Sequence, residues 1–138
     1  MYQHILVPVD FSERNQQALG VAVTMAQMSH GRVSLLHIIK LISGAYEEFQ
    51  DFYQKLEAEA HEKMTALIAS QQDEEVDLTP HIMVGNRVEE ILQFAGEEDV
   101  DLIVMSSHKI DLQHPDAGWG TISHKVSILA QCPVLLVK

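Results

Sequence analysis

Residues 100–121 read VDLIVMSSHKIDLQHPDAGWGT, and the rest of the chain is predicted to be arranged around this stretch. It begins with the apolar run Leu102 to Met105, whose length and β-branched content are typical of a strand buried on both faces. The chain then turns polar at Ser106, and a loop follows until Gly120-Thr121 opens a helical pattern. Parallel α/β sheets build ligand sites from such parts, because the unpaired N–H groups of a helix start favour anions such as phosphate.

Strand and helix patterns alternate along the whole chain. Strands are predicted at Ile5–Asp10, Val33–Ile39, Val76–Val84, Leu102–Met105 and Pro133–Val137. Helices are predicted from the N-cap Ser12 to a stop at Gly31, from Tyr46 to Ser70, from Val88 to Gly96, and from Gly120 to Ala130. The second helix has an apolar stripe that predicts core packing: Phe49, Phe52, Tyr53, Leu56, Ala60, Met64, Leu67 and Ile68.

This alternation favours a doubly wound α/β fold, with a five-stranded parallel sheet and helices on both faces. Pro80 places the third strand at a sheet edge, since a proline in a central strand would remove a ladder hydrogen bond. With the third strand at an edge, the strand order 3-2-1-4-5 fits best. Its switch point lies between strands one and four, where Asp10 is predicted to meet the segment from Ser106 to Lys109.

Composition and charge bound the class of protein. The chain has 138 residues, which predicts one domain, and its 9 basic and 20 acidic residues give a net charge of −11. This acidity argues against nucleic-acid partners and against binding to anionic membranes. The N-terminus lacks a secretory pattern, so the cytoplasm is the expected compartment. The single cysteine, Cys132, excludes an intramolecular disulfide and is predicted to be a buried structural thiol.

The chain resembles the universal stress protein family over nearly its full length. The resemblance lies in HILVPVDFSE, GRVSLLHII, VEEILQFAGEEDVDLIVMSSH and GTISHKVSILAQCPVLLVK, taken in this order and spacing. It implies a cytoplasmic stress-response protein with this doubly wound fold, and a homodimer that pairs through the last strand, Pro133–Val137. It also implies binding of ATP, ADP or another adenine nucleotide, with or without Mg²⁺.

One motif departs from the family pattern. Nucleotide-binding members carry G-x-x-G, a spacer, and then Gly-Ser or Gly-Thr; here Ser106 and Lys109 occupy the two glycine positions, and Gly120-Thr121 matches the final pair. Glycine allows close backbone approach to phosphate and positive φ, and both substitutions restrict this. Lys109 either blocks the phosphate groove or supplies a charge to it, and both interpretations stay open.

The rest of the implied pocket follows the family more closely. By resemblance, Asp10 contacts the adenosine portion, Ile38 packs near adenine, and Thr121 offers its hydroxyl and N–H to phosphate. The predicted site comprises Pro8, Val9, Asp10, Ile38, Met105, Ser106, Ser107, Lys109, Gly120, Thr121 and Ile122.

Two functional classes remain open at this point. The chain is either an adenine-nucleotide sensor or a nucleotide-free interaction protein whose Ser107–Gly118 loop contacts an unidentified protein partner. A dedicated enzyme is not expected, because the hydrolase elbow and the Walker loop are absent, although the resemblance leaves slow ATP hydrolysis open. His108, His114 and His124 have no compact ligand spacing, so a metal site is not expected.

Overall fold

The computed structural model describes residues 1–41, 49–71, 75–107, 112–113 and 121–138. Strands and helices alternate strictly along these residues, as predicted. In chain order they are β1 (His4–Pro8), α1 (Arg14–Ser29), β2 (Arg32–Lys40), α2 (Gln50–Ala69), β3 (Leu78–Gly85), α3 (Arg87–Glu97), β4 (Leu102–Ser106), α4 (Ile122–Leu129) and β5 (Val134–Val137). Every predicted element is present, and its ends differ from the prediction by a few residues.

The strands form one parallel sheet of order β3-β2-β1-β4-β5, which confirms the predicted topology. Pro80 lies in the edge strand β3, opposite Leu35 of β2. A proline is tolerated there because the outer side of an edge strand has no ladder partner in the sheet.

The side chains of β1 alternate between two apolar cores, one on each face of the sheet. Ile5 packs in a cluster with Leu19 of α1 and with residues of α2. The next residue, Leu6, belongs to a second cluster with Ile91 of α3 and Val126 of α4. Helices therefore cover both faces, and the central strands are apolar throughout because both their faces are buried. In the described parts of the chain, no helix is long and apolar enough to span a membrane.

The predicted N-cap of α1 is wrong by one position. The helix begins at Arg14 and is preceded by Glu13, which makes no side-chain cap hydrogen bond. The Ser12 hydroxyl accepts no helix N–H among the described residues, while the Ser12 backbone N–H donates to the Asp10 carboxylate, with Oδ1 accepting at 2.9 Å. This short side-chain turn carries the chain from β1 into the helix.

The C-terminal end of α1 also differs from the prediction in detail. His30, and not Gly31, adopts the left-handed conformation, with φ 54°. The N–H of Gly31 closes the helix on the Ala26 carbonyl at 2.9 Å. Glycine is needed at position 31 for space, because a Cβ there would lie 2.5 Å from the Tyr2 carbonyl oxygen.

Two predicted core residues of α2 are exposed. Phe49 (41% exposed) precedes the helix and Phe52 (45% exposed) lies beside the buried stripe, which runs through Tyr53, Ala60, Met64 and Leu67. Cys132 is half-buried against the α3–α4 core, and burial, helped by the charge of Asp101, raises the pKa of its thiol. A raised thiol pKa disfavours the nucleophilic thiolate.

The two central strands are tied together at their amino ends. The Asp101 carboxylate, directly before β4, accepts the backbone N–H of Gln3 (2.8 Å) and of His4 (3.1 Å). The buried His4 ring contacts the Glu98 carbonyl at 2.9 Å and the Ser34 hydroxyl at 2.7 Å. Beyond this end the direct pairing of β1 with β4 is short, at Ile5–Leu102 and Leu6–Ile103.

Candidate functional site

A cavity of about 250 Å³ lies at the carboxyl ends of β1 and β4, at the switch point of the sheet. Here α1 leaves β1 toward one face while α4 packs on the other, so the two chain segments diverge and leave a crevice. Every predicted site residue that the structure describes lines this cavity: Pro8, Val9, Asp10, Ile38, Met105, Ser106, Ser107, Thr121 and Ile122. Lys109 and Gly120 lie outside the described residues.

One wall of the cavity is apolar. Ile38 and Met105 come from the ends of β2 and β4 and are only 4% and 5% exposed. Leu36 and Ile91 extend this wall and belong to the same core cluster. Because these side chains are held by core packing, they present a fixed apolar surface, which suits a flat ring system.

Asp10 supplies the negative charge at the cavity edge. Burial acts to raise the pKa of its carboxyl, but the hydrogen bond from the Ser12 N–H and the charge of Arg14 hold that pKa below its ordinary value. The side chain is therefore a carboxylate at neutral pH, able only to accept hydrogen bonds. Ligand groups that donate, such as sugar hydroxyls, are its suitable partners.

The opposite end of the cavity is lined by hydroxyl groups. Thr121 caps α4, its Oγ1 accepting the N–H of His124 at 3.2 Å. Ser107 Oγ accepts from Lys138 Nζ at 3.3 Å and from Ser123 Oγ at 3.5 Å. A helix start and several hydroxyl groups therefore lie together at this end of the cavity, and N–H and O–H groups are the groups that bind anions.

Two cationic side chains complete the lining. Arg14 is the first residue of α1 and Arg87 the first residue of α3. The start of α3 is capped by Asn86, whose Oδ1 accepts the N–H of Glu89 at 3.0 Å. In a chain with a net charge of −11, two arginines in one cavity make a local environment suited to an acidic ligand.

His37 stands behind the cavity and has a structural role. Its Nδ1 donates to the Val9 carbonyl at 2.8 Å, which fixes the end of β1. Burial lowers the pKa of His37, and the positive charge of Arg87 lowers it further. The hydrogen bond to Val9 acts in the opposite direction, but the pKa stays below its ordinary value. The ring is therefore neutral at pH 7 and braces the strand.

Several lining residues were not predicted from the sequence: Arg14, Asn15, Leu36, Arg87, Ile91 and Ser123. Four of them lie in the first turn of a helix that follows a strand end. That position was a usable signal, since the first turn of each helix in this fold faces the carboxyl edge of the sheet.

The predicted absence of a metal site concerns His108, His114 and His124. His108 and His114 lie outside the described residues, and the His124 backbone serves the α4 cap. Within the described ranges, no group of three or more His, Cys, Asp or Glu side chains could hold a metal ion.

Comparison with known proteins places this chain beside universal stress proteins. The model of the universal stress protein family matches residues 1–138. Universal stress protein MJ0577 of Methanocaldococcus jannaschii is 32% identical over 157 residues, covering 100% of this chain and 96% of that protein. The solved structure of MJ0577 matches with a TM-score of 0.84 and 33% identity, covering 100% of this chain and 96% of that one. The structure of universal stress protein UspA from Lactobacillus plantarum has a TM-score of 0.79 and 26% identity, and the match covers 99% of this chain and 98% of that one.

Two more distant structures are described with adenine nucleotides. A universal stress protein in complex with cAMP has a TM-score of 0.72 and 20% identity, covering 99% of this chain and 97% of that one. The universal stress protein from Archaeoglobus fulgidus in complex with dAMP has a TM-score of 0.73 and 23% identity, covering 99% and 98%. At these identities the likeness shows the fold.

Proposed function

The chain belongs to the universal stress protein family, and we propose that it acts by binding an adenine nucleotide, ATP or ADP, in the cavity between β1 and β4. The observation that carries this proposal is the division of the cavity into an apolar wall, an acidic edge and a hydroxyl-lined end, with two arginines in the lining. A nucleotide has the same three parts: an apolar base, a sugar that donates hydrogen bonds, and phosphates that accept them. Two proteins of this fold are described in complex with adenine nucleotides.

The base and sugar fit the first half of the cavity. The base would lie against Ile38 and Met105, whose burial keeps that wall rigid. The ribose hydroxyls would donate to the Asp10 carboxylate, which is charged at neutral pH because its pKa is lowered. Val9 and Pro8 bring the strand end close to the sugar.

The phosphates fit the second half. The Ser106, Ser107 and Thr121 hydroxyls and the start of α4 supply hydrogen-bond donors there. Arg87 also lines the cavity, and its positive charge can offset the net negative charge of the chain for an acidic ligand. Mg²⁺ would enter with the phosphates, because Asp10 is the one carboxylate among the described lining residues.

The arrangement supports binding more than turnover. A dedicated hydrolase needs a base held against a nucleophile; Asp10 is the one carboxylate among the described lining residues, and its lowered pKa makes it a weak base. We therefore propose that the protein acts by binding the nucleotide and not by hydrolysing it. The bound nucleotide would change the surface that the protein presents to its partners.

We also propose that the chain forms a homodimer through β5. This strand is the sheet edge opposite β3, and Leu135 on it is 37% exposed. Ile128 and Leu129 on the neighbouring helix α4 are 66% and 57% exposed. Pairing of two β5 strands would cover this apolar edge, which otherwise favours aggregation.

Calorimetric titration of nucleotide-stripped protein with ATP and Mg²⁺ tests the nucleotide proposal. We expect saturable binding near one nucleotide per chain. The Arg87→Glu variant reverses a charge in the cavity and should lose most of the affinity for ATP. Lys55→Glu makes the same charge change at an exposed position of α2 and should not. No heat at millimolar ATP would contradict nucleotide binding. It would favour the alternative hypothesis, a nucleotide-free interaction protein whose partner contacts the Ser107–Gly118 loop.

A further inference from the structure

Asn15 is a buried amide side chain in the wall of the cavity. It is 2% exposed and lies in the first turn of α1. Burial of an amide is unfavourable unless its oxygen and nitrogen both find hydrogen-bond partners. The hydrogen-bond partners of Asn15 therefore indicate why a polar residue stands at this position.

The amide oxygen holds the turn that follows β1. Asn15 Oδ1 accepts the backbone N–H of Asp10 at 2.9 Å and of Phe11 at 2.7 Å. Phe11 has φ 65°, a left-handed conformation that is unfavourable for a residue with a Cβ. The two hydrogen bonds stabilise this turn. They also fix the amide orientation, since only the oxygen can accept from two N–H groups.

The amide nitrogen reaches across to β4. Asn15 Nδ2 donates to Ser106 Oγ at 3.2 Å, so one side chain joins the ends of the two central strands. A nitrogen of this kind can only donate, which makes Ser106 Oγ the acceptor. The hydroxyl hydrogen of Ser106 is then left to donate elsewhere, and Ser106 lines the cavity.

We infer that Asn15 is a positioning residue that sets the Ser106 hydroxyl as a hydrogen-bond donor to a phosphate oxygen of the bound nucleotide. The inference rests on the proposed function. Ser106 stands where the family pattern has a glycine, so its Cβ hinders close approach of the backbone to phosphate. The Asn15–Ser106 pair replaces that backbone contact with a side-chain donor, and phosphate oxygens only accept.

A double-mutant cycle on ligand affinity tests the pair. Asn15→Asp keeps an oxygen for the Asp10 and Phe11 N–H groups, but it presents a second oxygen to Ser106, whose hydroxyl then donates to that oxygen instead of to the ligand. The added charge weakens ATP binding whether or not Ser106 is present, whereas the positioning effect needs the Ser106 hydroxyl. We expect Asn15→Asp to weaken ATP binding about five- to tenfold more in the unchanged background than in the Ser106→Ala background.

Two controls make the cycle specific. With adenosine in place of ATP the coupling should vanish, because the phosphate oxygen is gone. In the Ser123→Ala background, which removes another cavity hydroxyl, the full effect of Asn15→Asp on ATP should remain. A merely structural role of Asn15 would change the unfolding temperature without this dependence on ligand and background.

The outcomes separate the two proposals. Additive effects of Asn15→Asp and Ser106→Ala, or equal coupling with adenosine, would overturn the positioning role and leave nucleotide binding intact. Binding of neither ATP nor adenosine to the unchanged chain would overturn both. If Asn15→Asp does not fold, the side-chain amide signal of Asn15 in NMR gives a second measurement. ATP should shift it more in the unchanged protein than in Ser106→Ala, and equal shifts would overturn the inference.

Discussion

Replacing Asp10 with asparagine removes one charge from the acidic edge of the cavity and little else. Asparagine keeps an oxygen that can accept the Ser12 N–H, now 2.9 Å from Oδ1, so the turn after β1 should persist. A hydrogen bond to a charged group contributes about 1.5–3 kcal/mol and a neutral one about 0.5–1.5 kcal/mol. The difference of about 1–1.5 kcal/mol corresponds to about five- to twelvefold weaker binding of adenosine.

Titration calorimetry with adenosine measures this effect, since adenosine carries the ribose without phosphate charges. Glu13→Gln is the matched control: it makes the same change in net charge at an exposed residue outside the cavity lining, and it should leave the affinity unchanged. Because the pKa of Asp10 is lowered, adenosine affinity of the unchanged protein should be flat from pH 8 to about pH 5. Equal adenosine affinity in Asp10→Asn and the unchanged protein would refute the assignment of Asp10 to the sugar.

Further predictions concern stability and assembly. Gly31→Ala should lower the free energy of unfolding by about 1–3 kcal/mol, because the new Cβ meets the Tyr2 carbonyl. Gly20→Ala should raise it by about 0.5–1 kcal/mol, because there is open space around this position of α1. Urea denaturation measures both changes. Burial lowers the pKa of His81, so stability should be full above about pH 6.5 and fall as the pH drops toward the lowered value, and His81→Gln should reduce this slope in thermal melts. Leu135→Glu should convert a dimer to a monomer in sedimentation; an unchanged mass would count against the β5 interface.

The fold was predictable because its signals are local and repeated. Each buried strand is an apolar run, each helix start follows a polar strand end, and Pro80 alone was enough to place β3 at an edge. The strand order then fixed which polar segments meet, and this placed Asp10 and Ser106 at one cavity.

The remaining details depend on side-chain geometry that sequence spacing does not contain. Ser12 looked like a helix cap, but its hydroxyl accepts no helix N–H in the described structure, and Glu13 is the residue that precedes the helix. Phe52 fitted the apolar period of α2 and yet lies beside the buried stripe. Arg87 and Asn15 were not predicted; their first-turn positions indicate the edge of the sheet that they face, but the packing of the helices on the sheet decides that they line this cavity.

The short pairing of β1 with β4 has a mechanical consequence. Register pairs join these strands at two positions, while β1 and β2 are joined at five, so the seam between the β3-β2-β1 half and the β4-β5 half is the weaker junction. Asp101 fastens one end of that seam, and the cavity lies at the other. A ligand that contacts both strand ends would act as an added cross-link and stiffen the junction along its length. Amide exchange at β4 should then slow on occupancy, which would transmit the presence of a ligand to β5 and its outer edge.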